Sequence, residues 1–322
     1  MRIALVIPAF NEEQTIAEVI ERFHKQDPRL YIVVVDNASK DATSRIARDT
    51  LERLGASGEV MFEPRQGKGI AVRSAFLRHD ADVYVMVDAD TTYHASDLPA
   101  LLEPVLAGQY DMAVGDRHAS GAYAKENKRA YHGLGNALVR NLINVLFGAN
   151  LGDILSGYRV FNRKFVRSFP ILYSGFQLET EITLHALDKR LSVLERAIIY
   201  TDRPAGNFSK LNTFRDGARV LSSLFNILRY YRPGLFFGAL SGVTALTSLA
   251  VGFPVVREYV LFRYVYAIPS AILAVGLMVL AIVMAAAGLI LDAGAHLHRS
   301  NVEMTFYRLE AEAAERRSTR SH

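Results

Sequence analysis

Two long stretches in the C-terminal third of the chain, residues 233–256 and 264–291, contain no charged side chain. About 20 consecutive apolar residues cross the hydrocarbon core of a bilayer, so each stretch is long enough to span one as a helix. Only Arg257-Glu258-Tyr259-Val260-Leu261-Phe262-Arg263 separates them. That spacing predicts a two-helix hairpin with a tight turn, with Pro254 and Pro269 near the turn-side ends, where kinks cost least. Upstream, between Thr213 and Arg232, Phe214, Leu221, Leu224, Phe225 and Leu228 alternate with Arg215, Arg219, Arg229 and Arg232. A basic amphipathic segment beside a span predicts a helix lying at the membrane interface. Arg229 and Arg232 before the first span, and Arg299, Arg308 and Arg316-Arg317-Ser318-Thr319-Arg320 after the second, place both ends on the cytoplasmic side. Arg257 and Arg263 in the turn weigh the other way.

The apolar excess is confined to that region. Residues 1–210 read as an ordinary water-soluble domain in which short apolar runs alternate with helical patterns. Residues 3–7, 31–35, 60–62 and 83–87 are β-rich, and residues 110–115 and 193–200 suggest two further strands. From Asn11 to Phe23, the residues Ile16, Val19, Ile20 and Phe23 share one helical face. Continuous apolar strands separated by helices imply a Rossmann-like, mainly parallel sheet covered on both faces, with ligands beyond the carboxyl ends of the strands. From His132 to Gly148, Leu134, Leu138, Leu142, Val145 and Leu146 form a stripe expected to face the core. The apolar run of residues 3–10 is broken by Pro8 and reads as a buried strand, not a secretory leader, so the domain is expected in the cytoplasm.

The chain has no cysteine, which excludes disulfides and thiolate metal sites. A net charge of +4 is mild, and no basic stretch interleaved with aromatics suggests a nucleic-acid groove. Neither a P-loop nor a Gly-rich dinucleotide fingerprint is present: Gly67-Lys68-Gly69 lacks the former's surroundings, and Pro8-Ala9-Phe10-Asn11-Glu12-Glu13 stands where the latter would be. The strongest chemical signal is Asp88-Ala89-Asp90. Carboxylates at i and i+2 after an extended strand project to one side, about 7 Å apart. Such hard oxygen ligands suit Mg²⁺ or Mn²⁺, which take their remaining ligands from water and substrate phosphates.

Taken together, Pro8–Glu13, Val35-Asp36-Asn37-Ala38-Ser39, Gly67-Lys68-Gly69 and Asp88-Ala89-Asp90 resemble glycosyltransferase family 2 with its GT-A fold. Val114-Gly115-Asp116-Arg117, Ser156-Gly157-Tyr158-Arg159, Glu179-Thr180-Glu181 and residues 203–211 (RPAGNFSKL) resemble its dolichol-phosphate mannose synthase and polyprenyl-phosphate glycosyltransferase branch. The resemblance covers about residues 1–230. It implies that Pro8, Phe10 and Glu12, with Asp36 and Asn37, line the base and ribose pocket of a nucleotide-sugar. It further implies that Asp88 and Asp90 approach metal and diphosphate, with the Ala89 backbone beside the nucleotide. The mannose synthases carry a metal-binding Gln at the position of Thr92, so here water or His94 would complete the shell. Arg117 and Arg129 become candidates for the acceptor phosphate, and Arg203 and Lys210 for the diphosphate. Asp153 would act as a base or orient the acceptor.

The expectation is therefore a GT-A domain (residues 1–212), an interfacial helix (213–232), a transmembrane hairpin (233–292, spans about 235–256 and 264–291) and a cytoplasmic tail (293–322). Its activity would be inverting transfer from a UDP- or GDP-sugar to a polyprenyl phosphate at the bilayer, with a homo-oligomer possible. Two alternatives remain open: a membrane transferase acting on a polysaccharide or glycolipid, and a non-catalytic scaffold with a degenerate fold. Processive synthases of this fold usually carry a Trp-containing motif, and this chain has no tryptophan.

Overall fold

The computed structural model describes residues 1–118, 130–170, 178–201, 222 and 224–320. Two compact units emerge, Met1–Gly217 with Met304–His322, and Ala218–Glu303. The first is built on a seven-stranded sheet. Its strands are β1 (Ile3–Ala9), β2 (Leu30–Asp36), β3 (Gly58–Phe62), β4 (Val83–Met86), β5 (Met112–Asp116), β6 (Arg159–Asn162) and β7 (Val193–Ala197), ordered β3-β2-β1-β4-β6-β5-β7. Pairing is parallel between β1 and β2, β1 and β4, β2 and β3, and β5 and β7. Only β6 is reversed, antiparallel to both β4 and β5.

The parallel half follows from burial on both faces. Leu5, Val6, Ile7, Ile32, Val33, Val34 and Val85 are completely buried, which is why these strands read as unbroken apolar runs. Helices α1 (Ile16–Gln26), α2 (Thr43–Leu54), α3 (Lys68–Arg78) and α4 (Leu98–Leu106) cover the sheet. Ile16, Val19, Ile20 and Phe23 of α1 are the buried face that the sequence spacing assigns. Strand β6 has no counterpart in the sequence reading: only Arg159 of its four residues falls in a motif singled out there, and so short a strand leaves little periodic signal.

Helix α5 (Ala130–Phe147) forms where a helix was expected, but its apolar stripe does not simply face the core. Val139 and Ile143 are buried, whereas Leu138 is 49% and Val145 81% exposed. The buried line runs through the i, i+4 pair 139/143, so Leu138 and Val145 turn outward while Leu142 and Leu146 are half-buried. Helices α6 (Arg163–Ser168) and α7 (Leu178–Asp188) complete this part of the unit.

In the second unit, residues 224–231 are helical and lead to α8 (Pro233–Phe262) and α9 (Ile268–Arg320). Both are long and apolar enough to cross a membrane. They pack as an antiparallel hairpin through small residues. Ser241 Oγ donates to the Ala281 carbonyl at 2.8 Å and Ser248 Oγ to the Ala274 carbonyl at 2.7 Å. A Cβ at Gly288 would lie 2.9 Å from the Phe237 Cβ, so glycine sets that close approach. Residues 257–262, expected in the turn, instead continue α8, since nothing in them breaks a helix. The chain reverses after Arg263, which caps α8 in the left-handed region (φ 55°). Glu258 then accepts the backbone N–H groups of Tyr266 and Ala267 at 3.2 and 3.3 Å. The segment expected as a tail continues α9 as far as Arg320.

Candidate active site

At the carboxyl ends of β1, β2 and β4 the backbone is held in sparsely populated conformations. Asn11 (φ 55°), Ala38 (φ 60°) and the β-branched Thr91 (φ 61°) all lie in the left-handed region. Such residues cost on the order of 1–3 kcal/mol each and persist where surrounding contacts fix them. Here the loops after β1 and β2 are laced together. Asn11 N donates to Ser39 Oγ (3.0 Å) and Lys40 N to Asn11 Oδ1 (2.8 Å). Glu12 N donates to Thr43 Oγ1 (2.8 Å) and Ala42 N to Glu13 Oε2 (2.9 Å).

Parallel register sets Pro8 beside Val35 and Ala9 beside Asp36, so the two loops leave the sheet side by side. Phe10 is exposed, and Glu12 Oε2 accepts the Thr15 hydroxyl at 3.0 Å. Asp36 is buried and its Oδ1 accepts Ser39 N at 3.0 Å. Asn37 is occupied differently from the expectation of a ribose contact. Its Nδ2 donates to the carbonyls of Glu63 (3.1 Å) and Arg65 (2.6 Å), and its Oδ1 accepts Gly67 N (2.7 Å). These bonds pin the loop that leads into α3, and with it Lys68.

Strand pairing stops at Met86, and Ala89 and Asp90 lie in a bend. The two carboxylates therefore do not alternate along a continuing strand; each meets its own surroundings. Asp88 forms an ion pair with Lys68 Nζ, which also donates to Glu179 Oε1 at 2.6 Å. Burial would lower the Lys68 ammonium, but Asp88 and Glu179 outweigh it and hold it well above its ordinary value. Burial pushes Asp88 up, opposed by Lys68 and reinforced by the nearby Glu179 and Asp90 carboxylates. Glu179 is held down by Lys68 against the opposing effect of burial. Asp90 is buried, and its Oδ1 accepts the Thr92 hydroxyl at 2.6 Å. Thr92 thus orients Asp90 directly. His94 is turned to Thr201, with 2.6 Å between Nε2 and Oγ1.

Three residues of this cluster carry no assigned role in the sequence reading, although Lys68 and Glu179 lie in motifs quoted there. Lys68 and Glu179 come from distant segments that only the fold joins. Tyr93, buried beside them, accepts Gly157 N on its phenolic oxygen at 2.8 Å. Gly157 itself fits because it has no side chain: a Cβ there would lie 2.8 Å from Asp88 Oδ2 and 3.1 Å from Lys68 Nζ.

A second charged centre joins β5 to the loop before β6. Arg117 donates to Asp153 through Nε (2.7 Å) and Nη2 (3.0 Å), with its guanidinium over the Tyr200 ring at 5.4 Å. Burial would raise Asp153, but the Arg117 fork holds its carboxyl below the ordinary carboxylate range. A carboxylate so stabilised is a weak proton acceptor. The loop is braced by Arg159, fully buried, whose Nε and Nη2 donate to the carbonyls of Ser156 and Ile154, both at 2.8 Å. Burial pulls its guanidinium down to about 10, so it stays charged at neutral pH. Arg129, Arg203 and Lys210 lie outside the described residues.

Among the described residues no group of three His, Cys, Asp or Glu side chains could hold a metal ion. Two carboxylates with no sulfur or imidazole fit a hard ion that completes its shell with water and phosphate oxygens.

The mainly parallel seven-stranded sheet, with acidic residues beyond its strand ends, is a GT-A-like domain. The chain belongs to glycosyl transferase family 2, whose family model matches residues 4–169, and it is a glycosyltransferase. It is 30% identical to Glycosyltransferase AglJ of Haloferax volcanii over 80% of this chain and 82% of that protein. It is 32% identical to the dolichyl-phosphate hexose transferase of the same organism, over 70% of this chain and 93% of that one. A glucosyl-3-phosphoglycerate synthase from Mycobacterium tuberculosis, crystallised with Mn²⁺, UDP and phosphoglyceric acid, shares the fold. Its TM-score is 0.53 at 23% identity, covering 70% of this chain and 77% of that one.

Proposed function

We propose that this transferase moves a sugar from a UDP- or GDP-linked donor to a polyprenyl phosphate, with inversion at the anomeric carbon. The observation that carries the reading is the union, in one chain, of a family 2 domain with two apolar helices of bilayer-spanning length. An acceptor with a long isoprenoid tail stays in the membrane, so the enzyme must work at its surface. The dolichyl-phosphate hexose transferase among the relatives supports the same acceptor chemistry.

On this reading Pro8, Phe10, Glu12 and Asp36 line the base and ribose pocket, while Asn37 acts one step removed by fixing residues 63–67. Asp88 and Asp90 would hold Mg²⁺ or Mn²⁺, which supplies positive charge to the departing diphosphate. The Mn²⁺ in the mycobacterial structure supports a divalent ion of this kind. Arg117, oriented by Asp153, presents its guanidinium to the acceptor phosphate, joined by Arg129. Arg203 and Lys210 serve the donor diphosphate. A phosphate monoester is already ionised near neutral pH and attacks the anomeric carbon without a base. Asp153 is therefore the positioning partner of Arg117 rather than a proton acceptor. The domain organisation follows: a catalytic domain to about residue 212, an interfacial segment to 232, the hairpin, and a C-terminal segment on the cytoplasmic side with the catalytic domain.

Incubating the purified protein with UDP- and GDP-sugars, Mg²⁺ or Mn²⁺ and polyprenyl phosphate should yield a lipid-linked sugar. A folded protein that makes none from any of these donors would overturn the proposal. Asp90→Ala should lower turnover at least 100-fold, on the order expected for loss of a group that stabilises transition-state charge. Full activity in that variant would remove the metal role.

A further inference from the structure

We propose that Lys68 is the resident counter-ion of Asp88, yields that carboxylate when a divalent metal binds, and is retained meanwhile by Glu179. The inference rests on the reading that Asp88 and Asp90 hold the metal. One ammonium spans two carboxylates from different parts of the fold, Asp88 after β4 and Glu179 in the first turn of α7. A divalent ion and an ammonium repel each other strongly in a partly buried site, so both cannot share the Asp88 carboxylate without cost. Lys68 has a second partner already in place and needs no new one when it leaves the first.

The surroundings fit an exchange. Lys68 opens α3 at the positive end of the helix dipole, where a cation is disfavoured unless other groups hold it. Its backbone is fixed by Asn37 through Gly67 N, so movement falls to the flexible four-carbon stem. Gly157 leaves open the space beside Asp88 Oδ2 and Lys68 Nζ that any side chain would fill. Glu179 is a retaining group in this scheme, not a metal ligand, and Lys68 keeps two carboxylates from repelling each other before metal arrives.

Mn²⁺ affinity of the full-length protein in detergent, measured by electron paramagnetic resonance without nucleotide, tests the exchange. Lys68→Met should tighten Mn²⁺ binding on the order of tenfold, as expected when a coupled neighbouring cation is removed. Lys68→Gln serves as the second variant should the first fail to fold. Glu179→Gln should weaken Mn²⁺ several-fold when Lys68 is present and by less than about twofold in the Lys68→Met background. Unchanged or weaker binding in both Lys68 variants would overturn the proposal. So would an equal effect of Glu179→Gln in the two backgrounds, since it would show repulsion at a distance without exchange. Were the wild type to bind no Mn²⁺ even with UDP or GDP, the metal reading would fall and this inference with it. Binding that is normal but insensitive to Lys68 would sink the inference alone.

Discussion

Single side chains set the chemistry of the site by what they leave out as much as by what they supply. Gly157 adopts no unusual backbone angle; its requirement is space beside Asp88 and Lys68. Gly157→Ala should therefore leave the fold intact, since the colliding atoms are side-chain ends, and lower kcat on the order of tenfold or more by pushing Asp88 aside. Unchanged kcat in a folded variant would show that Asp88 has room to spare. Glu63 is a residue of the opposite kind, whose charge supports folding. The Arg65 side chain bonds its carboxylate in a fork, Ser74 donates to it as well, and together they lower it to about 2. Because the folded value lies below the unfolded one, its stabilisation is full above about pH 4.5 and is lost as pH falls from there towards 2. Glu63→Gln should flatten that part of the stability–pH curve measured by denaturant unfolding, and leave the curve's shape at neutral pH unchanged.

Among the elements, strand β3 shows how closely an edge strand can be fitted. A Cβ at Gly58 would lie 2.2 Å from the Ile32 carbonyl oxygen, a backbone atom with no freedom to move aside. Gly58→Ala should destabilise the domain by about 1–3 kcal/mol, read as a lower urea midpoint at unchanged slope. An unaltered midpoint would mean that β3 can shift on β2 without loss. The parallel strands and α1 were legible in sequence because burial on two faces, or on one stripe, writes a period into the chain. Strand β6 was not, because its direction and its place between β4 and β5 come from long-range pairing. Helix α5 was legible as a helix but not in its facing: an apolar stripe does not by itself reveal whether protein, solvent or lipid covers it.

Across the whole molecule, the proposed topology sets the hairpin turn and the catalytic domain on opposite sides of a bilayer. The absence of native cysteine gives a clean test. With both ends cytoplasmic, Tyr264→Cys in the hairpin turn should react with a membrane-impermeant maleimide in intact expressing cells. Ala107→Cys in the catalytic domain should react only after lysis. The reverse pattern would invert the topology, and labelling of both in intact cells would argue against a spanning hairpin.

By itself the sequence determined the class of fold, the two apolar helices and the family, because periodicity, charge-free length and short motifs are local properties of the chain. It also pointed to Asp88 and Asp90. Only the tertiary structure decided who their neighbours are. Lys68 meets Asp88 and also Glu179, the latter 111 residues further along the chain, Thr92 turns to Asp90, Asn37 is spent on a loop, and Arg117 closes on Asp153. Charges separated along the chain interact through distance and desolvation, and both exist only once the sheet brings its strand ends together.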